Sequence, residues 1–132
     1  MNILIDTHYL VWSVFETKKL KPRVKSYLED RSNTVIVSTV SLWEISLKYG
    51  SGKLKINESL FYEKILKSIE KQSYQILELN LIDSLSFYKL GEFKHKDPFD
   101  RMLIWQAIQN EYRFLTVDEE LDQYENIGLK II

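Results

Sequence analysis

Short apolar runs alternate along the chain with segments of helical periodicity. Five runs are predicted strands, over residues 2–5, 34–37, 75–79, 113–117 and 129–132. They are short, and several are rich in β-branched residues, which is typical of strands buried on both faces. The segments between them carry apolar residues at helical spacing. They predict helices over residues 7–15, 22–28, 60–69, 81–90, 98–107 and 119–124, and another that carries apolar residues from 40 to 47 and stops near Gly50 and Gly52.

This alternation predicts an α/β fold. Strands that alternate with helices form a parallel sheet whose two faces are covered by helices. Ligands of such sheets bind at the carboxyl ends of the strands, which is therefore where chemistry is expected. A length of 132 residues favours one domain over residues 1–132.

Composition excludes several classes of protein. Cys is absent, so there is no disulfide framework, thiolate zinc site or cysteine nucleophile. No apolar run reaches the ~20 residues of a membrane span, and the first residues do not form a signal-peptide core. We therefore expect a cytoplasmic protein with no membrane contact. The net charge of −1 disfavours a general nucleic-acid coat. It does not disfavour a nuclease that binds phosphate through metal ions held by its own acids.

Four acidic residues follow the predicted strands or begin the predicted helices. Asp6 and Asp118 come directly after strands, Glu44 lies early in the helix after residues 34–37, and Asp100 lies in the first turn of the helix at Pro98. We expect these carboxylates near one edge of the sheet. Crowded carboxylates repel one another, and a divalent cation relieves that repulsion. A donor set of oxygens alone favours Mg²⁺, with Mn²⁺ as the alternative.

Each acid also has a structural interpretation as part of a helix cap. Asp6 and Asp118 are suitable N-caps. Residues 41–44 match a capping box, and residues 97–100 match an N-cap, a first-position proline and a first-turn acid. A non-enzymatic binding module whose acids only cap helices is therefore an alternative. Binding of a divalent metal would distinguish the two.

A phosphoacceptor receiver domain is a third hypothesis, since it is also a small α/β sheet with acids at strand ends. Receivers carry adjacent acids after the first strand and a lysine after the last. Here Asp6 stands alone after its strand and the sequence ends with the last strand at Ile132. The receiver hypothesis is therefore poor.

Four segments together resemble the PIN domain and, within it, the VapC-like toxins of bacterial toxin–antitoxin pairs. They are ILIDTHYLVW at 3–12, STVSLWEISLKYGSGKL at 38–54, HKDPFDRMLIWQA at 95–107 and FLTVDEELDQY at 114–124. The third is the most specific, because it combines a helix start, two acids and an arginine. The segments run in the family's order over nearly the whole chain.

The resemblance implies a three-layer α/β/α fold with a central parallel sheet of about five strands. It implies a metal-dependent endoribonuclease, the toxin of a pair, with RNA as substrate, a separately encoded antitoxin as partner and a homodimeric state. The family's acidic metal-site positions correspond to Asp6, Glu44, Asp100 and Asp118.

Other polar residues near these acids have two interpretations each. Thr116 is either a hydrogen-bonding partner of the site or a β-branched strand residue. Asp97 is either a supporting acid or, more in keeping with its place before Pro98, an N-cap. Arg101 either contacts a phosphate or, the interpretation we favour, forms an ion pair with Asp97. His8 and His95 have no metal-ligand spacing to another histidine and stay unassigned.

Overall fold

The computed structural model describes residues 1–56 and 59–132. Among these residues, five strands form one sheet. They are β1 to β5, which span Asn2–Ile5, Thr34–Ser38, Gln75–Leu77, Arg113–Leu115 and Lys130–Ile131. The strand order is β3-β2-β1-β4-β5, and all neighbours are parallel. The predicted central parallel sheet is confirmed.

Helices cover both faces of the sheet. The α-helices α1 to α6 span Thr7–Phe15, Pro22–Glu29, Thr39–Gly50, Phe61–Lys71, Leu81–Ser86 and Pro98–Asn110. Short 3-10 helices occupy Thr17–Lys19, Phe87–Leu90 and Asp122–Ile127. No helix in the described part of the chain is long and apolar enough to cross a membrane.

The core has two layers, one on each face of β1, because successive side chains of a strand point to opposite faces. Ile3 and Ile5 belong to the layer formed with α1, α2 and α4. Leu4 belongs to the other layer, where it joins Leu103 of α6 and Phe114 of β4. The three-layer α/β/α architecture expected from the resemblance is therefore confirmed.

In this strand order, the chain reverses its direction across the sheet at a point next to β1. The chain leaves β1 for β2 and β3 on one side and later returns to β4 and β5 on the other. Carboxyl ends of strands beside such a reversal form the usual ligand crevice. A receiver domain has the order 2-1-3-4-5, so the fold is not that of a receiver.

Several predicted elements differ from those observed. Strand β4 ends at Leu115 rather than at residue 117, because the Thr116 hydroxyl and the Val117 amide donate to a carboxylate oxygen of Asp6. The helix predicted over residues 81–90 is divided into α5 and a 3-10 helix, which ends at Gly91 with φ of 84°. The short helix predicted over residues 119–124 lies at Asp122–Ile127.

Candidate metal centre

Asp6 is buried at the carboxyl end of β1 and is held by three donors. Its Oδ1 accepts from the Tyr9 amide at 2.9 Å, which caps α1. Its Oδ2 accepts from the Thr116 hydroxyl at 2.9 Å and the Val117 amide at 2.8 Å. Burial raises the pKa of Asp6, and these hydrogen bonds oppose the rise. Asp6 is therefore a helix cap, as the structural interpretation held, and also joins the ends of β1 and β4.

Glu44 lies in the middle of α3, its side chain is buried, and it does not form the predicted capping box. The helix begins earlier than that pattern implied, at Thr39, with the Ser38 hydroxyl accepting from the Val40 amide at 3.0 Å. One oxygen of Glu44 accepts from the Thr7 hydroxyl at 2.6 Å, and the other accepts from Lys48 Nζ at 2.5 Å. The capping-box interpretation of Glu44 is wrong, and its carboxylate instead faces the residue that follows Asp6.

Asp100 lies in the first turn of α6, where its amide donates to Asp97 Oδ1 at 3.0 Å. Burial, first, and then the charges of Asp97 and Glu44 raise the pKa of Asp100 to about 6. Asp6 also raises it. An acid whose pKa is raised by three other carboxylates lies in the shared field that the sequence predicted for this edge.

Asp118 follows β4 and reaches the same edge from the other side. Its Oδ1 accepts from the Glu120 amide at 2.8 Å, and its amide donates to the Thr116 hydroxyl at 3.1 Å. Its Oδ2 lies 3.7 Å from His95 Nε2, and Asp100 Oδ2 lies 3.4 Å from the same nitrogen. Asp118 and Asp100 thus meet at one imidazole, whose role the sequence left unassigned.

The three supporting candidates have different outcomes. Thr116 bonds Asp6 and lies beyond the end of β4, so the hydrogen-bonding interpretation describes it better than that of a strand residue. Asp97 is the N-cap of α6, and its charge also acts on Asp100. Within the described residues, Arg101 forms no ion pair with Asp97. Its guanidinium donates to the Tyr124 hydroxyl and to the carbonyl oxygens of His95 and Gly91.

Lys48 brings a positive charge to this acidic edge. Its hydrogen bond to Glu44 raises the pKa of Lys48, and the charges of Glu44, Asp97 and Asp100 add to the rise. The lysine therefore feels the carboxylates of both α3 and α6. It neutralises part of their charge in the metal-free protein.

The donor set fits a hard divalent cation by its chemistry. Carboxylate oxygens are the ligands that Mg²⁺ and Mn²⁺ prefer, and the repulsion around Asp100 is of the kind that a cation relieves. Across residues 1–56 and 59–132, no three His, Asp or Glu side chains already stand in a metal-holding arrangement. One reason is that both oxygens of Asp6 and both oxygens of Glu44 already accept hydrogen bonds from the protein.

Comparisons with known proteins identify relatives of this fold. The PIN domain family model matches residues 3–127. The chain is similar to a chain of VapBC2 from Rickettsia felis bound to a DNA fragment from their promoter, with 16% identity, a TM-score of 0.71 and coverage of 100% of this chain and 98% of that one. It is also similar to a chain of DNA-bound VapBC from Salmonella typhimurium, with 18% identity, a TM-score of 0.65 and coverage of 100% of this chain and 97% of that one. For FitAcB from Neisseria gonorrhoeae the identity is 19%, the TM-score is 0.65, and the match covers 98% of this chain and 96% of that one. No curated protein matched.

Proposed function

Because the chain belongs to the PIN domain family, we propose that it is a single-domain, metal-dependent endoribonuclease that acts as the toxin of a toxin–antitoxin pair. One observation carries this proposal. The acids converge at the carboxyl edge of the sheet: Glu44 bonds the residue that follows Asp6, and Asp100 and Asp118 lie 3.4 and 3.7 Å from one nitrogen of His95. In keeping with this, the charges of Asp97, Glu44 and Asp6 raise the pKa of Asp100. Helix capping explains Asp97 and one oxygen of Asp6, but it does not explain the buried carboxylate of Glu44.

Asp6, Glu44, Asp100 and Asp118 would together hold Mg²⁺, with Mn²⁺ as the alternative. When bound, the cation supplies a water of lowered pKa and neutralises charge on the phosphate. Asp6 and Glu44 are buried and fixed by hydrogen bonds, so they supply negative charge in a constant position. The side chains of Asp100 and Asp118 are 29% and 32% exposed. Asp118 also lines an open cavity, so we assign it the orientation of the attacking water.

Two cavities beside the acids support RNA as the substrate. They share Trp12 and Lys19 in their walls and have volumes of about 590 and 350 Å³. The smaller cavity has an excess of cationic side chains, with Lys19, Lys48, Lys53 and Lys55 against Glu16 and Glu44. The larger has Lys19, Lys21 and Arg23 at its wall, opposed by four acids that include Asp118. Ammonium groups bind backbone phosphates, and an aromatic ring provides a surface for a base to stack on. An enzyme that cleaves cellular RNA would act in the cytoplasm.

Sequencing of RNA ends after brief expression tests the proposed activity. The parent should create new ends at defined positions, and Asp6→Asn should create none. A matched control is Asp30→Asn, which removes an exposed carboxylate just before β2, at the opposite edge of the sheet. The control should cleave as the parent does. Identical new ends from Asp6→Asn and the parent would refute the assignment.

A separately encoded antitoxin is the proposed partner, because VapBC2, VapBC and FitAcB are similar in fold to this chain. An arginine of such a partner could place its guanidinium among the acids and replace the positive charge of the metal. Expression of the parent alone should arrest growth, whereas Asp6→Asn should not. Normal growth with active parent protein would contradict the toxin assignment.

A second copy of the chain is proposed to cover an exposed apolar face on α5 and the 3-10 helix after it. Leu81, Ile82, Leu85 and Tyr88 are between 64% and 77% exposed. Contiguous exposed apolar side chains of this kind mark interaction surfaces in proteins. The homodimer that the resemblance implied accounts for this face.

A further inference from the structure

The imidazole of His95 lies between the two partly exposed carboxylates of the site. Its side chain is only 15% exposed, and Nε2 is 3.4 Å from Asp100 Oδ2 and 3.7 Å from Asp118 Oδ2. Asp100 belongs to α6, whereas Asp118 belongs to the segment after β4. His95 is therefore the described side chain that contacts both carboxylates within 4 Å.

The partners of the two ring nitrogens indicate which nitrogen of His95 carries the hydrogen. Nε2 lies beside two carboxylates, which can only accept, so the hydrogen of the neutral ring belongs on Nε2. Nδ1 is then an acceptor, and the Tyr124 hydroxyl lies 3.3 Å from it. That hydroxyl can accept from Arg101 Nη1, also at 3.3 Å, and donate its own hydrogen to Nδ1.

The same residues also hold the ring in place. Tyr124 is fully buried and its ring lies edge-on to that of His95, with centroids 6.0 Å apart. Arg101 donates a second hydrogen bond to the backbone carbonyl of His95 at 3.4 Å. His95 is thus anchored to α6 by the bond from Arg101 to its backbone, and its ring is anchored by Tyr124 to the 3-10 helix at Asp122–Ile127.

We propose that His95 is a positioning residue, whose Nε2–H lies between the carboxylates of Asp100 and Asp118 and orients them towards a divalent cation. The inference rests on the proposed function, since it concerns the same cation site. Contacts of this kind are often long in a ligand-free enzyme and shorten in the complex. Loss of a residue that orients metal ligands typically lowers metal affinity or activity by about 10–100-fold.

Calorimetric titration of the metal-free protein with Mn²⁺ tests the donor. His95→Phe keeps a ring against Tyr124 but has no donor, and it should weaken Mn²⁺ binding by about 10–100-fold. His95→Gln can place an amide hydrogen near the same point, and it should restore most of the affinity. Both variants should melt close to the parent temperature in chelator. Parent-like Mn²⁺ affinity in a folded His95→Phe would overturn the proposal.

The hydrogen-bond relay has an independent test in the metal-free protein. Nitrogen NMR of the imidazole should show the Nε2–H form of His95 in the parent, and Tyr124→Phe should show a mixture of forms. Tyr74→Phe is the matched control, because it removes a buried hydroxyl from the other core layer. An Nδ1–H form in the parent would overturn the relay.

These outcomes separate the inference from the proposed nuclease. A parent that binds Mn²⁺ in a His95-dependent way but cleaves no RNA would refute the nuclease and leave the positioning role intact. A parent that cleaves RNA with unaltered metal binding in folded His95→Phe would refute the positioning role alone. A parent that binds no Mn²⁺ would refute both.

Discussion

Replacing Asp100 with asparagine should stabilise the metal-free protein. Folding raises the pKa of this carboxyl from 3.8 to about 6, through burial and through the charges of Asp97 and Glu44. A raised pKa means that the ionised form opposes folding. The cost is complete above the folded pKa of about 6 and disappears as the pH falls towards the unfolded value of 3.8.

The magnitude follows from the size of the shift. One pKa unit corresponds to about 1.4 kcal/mol, so the ionised carboxyl costs on the order of 3 kcal/mol above pH 6. Asparagine removes this cost but forfeits the favourable interaction of a first-turn acid with the helix dipole, about 0.3–1 kcal/mol. The expected gain is therefore roughly 2 kcal/mol, or roughly 5–10 °C in melting temperature.

Thermal melting in chelator and in excess Mn²⁺ measures both effects. At about a hundred times its dissociation constant, Mn²⁺ should stabilise the parent by about 2.7 kcal/mol, and Asp100→Asn should lose most of that gain. Glu63→Gln is the matched control, because Glu63 is an exposed first-turn acid of α4. It should be slightly destabilised with or without metal. A destabilised Asp100→Asn in chelator would refute the electrostatic reasoning and favour helix capping alone.

Three further predictions concern cleavage, assembly and RNA binding. Glu44→Gln and Asp118→Asn should each reduce RNA cleavage by more than the about 10–100-fold that loss of a supporting residue costs, with unchanged circular dichroism; full activity in both would contradict the site. Leu85→Glu should convert a dimer to a monomer in light scattering, and a parent that is monomeric at micromolar concentration would remove the homodimer. Lys53→Gln should raise KM with little change in kcat and should lower the salt dependence of RNA binding by about 0.7 in log–log slope. An unchanged slope would remove this lysine from the RNA path.

Local patterns were sufficient to predict most of the fold. The short apolar runs predicted all five strands of the described sheet, because buried parallel strands have few polar positions. Asp6 and Asp118 were placed at the carboxyl edge because each directly follows such a run. The end of β4 was predicted two residues late, since the residues that end it bond Asp6, more than a hundred positions away in the sequence.

Long-range contacts explain what the sequence could not predict. Residues 41–44 match a capping box locally, but Ser38 caps the helix first and leaves Glu44 to bond Thr7, which is 37 positions away. Arg101 was paired with nearby Asp97, whereas it donates to Tyr124, which is 23 positions away. His95 had no partner histidine to mark it, and only the fold brings it to Asp100 and Asp118.

Cleavage of RNA by the purified protein, first in chelator and then with added Mg²⁺ or Mn²⁺, tests the central claim most directly. Asp118→Asn and the exposed-acid control Asp30→Asn should be measured beside the parent. The account predicts no cleavage in chelator, cleavage by the parent and Asp30→Asn once the cation is added, and none by Asp118→Asn. Cleavage by the parent in chelator, or equal cleavage by Asp118→Asn, would contradict a metal-dependent site built from these carboxylates.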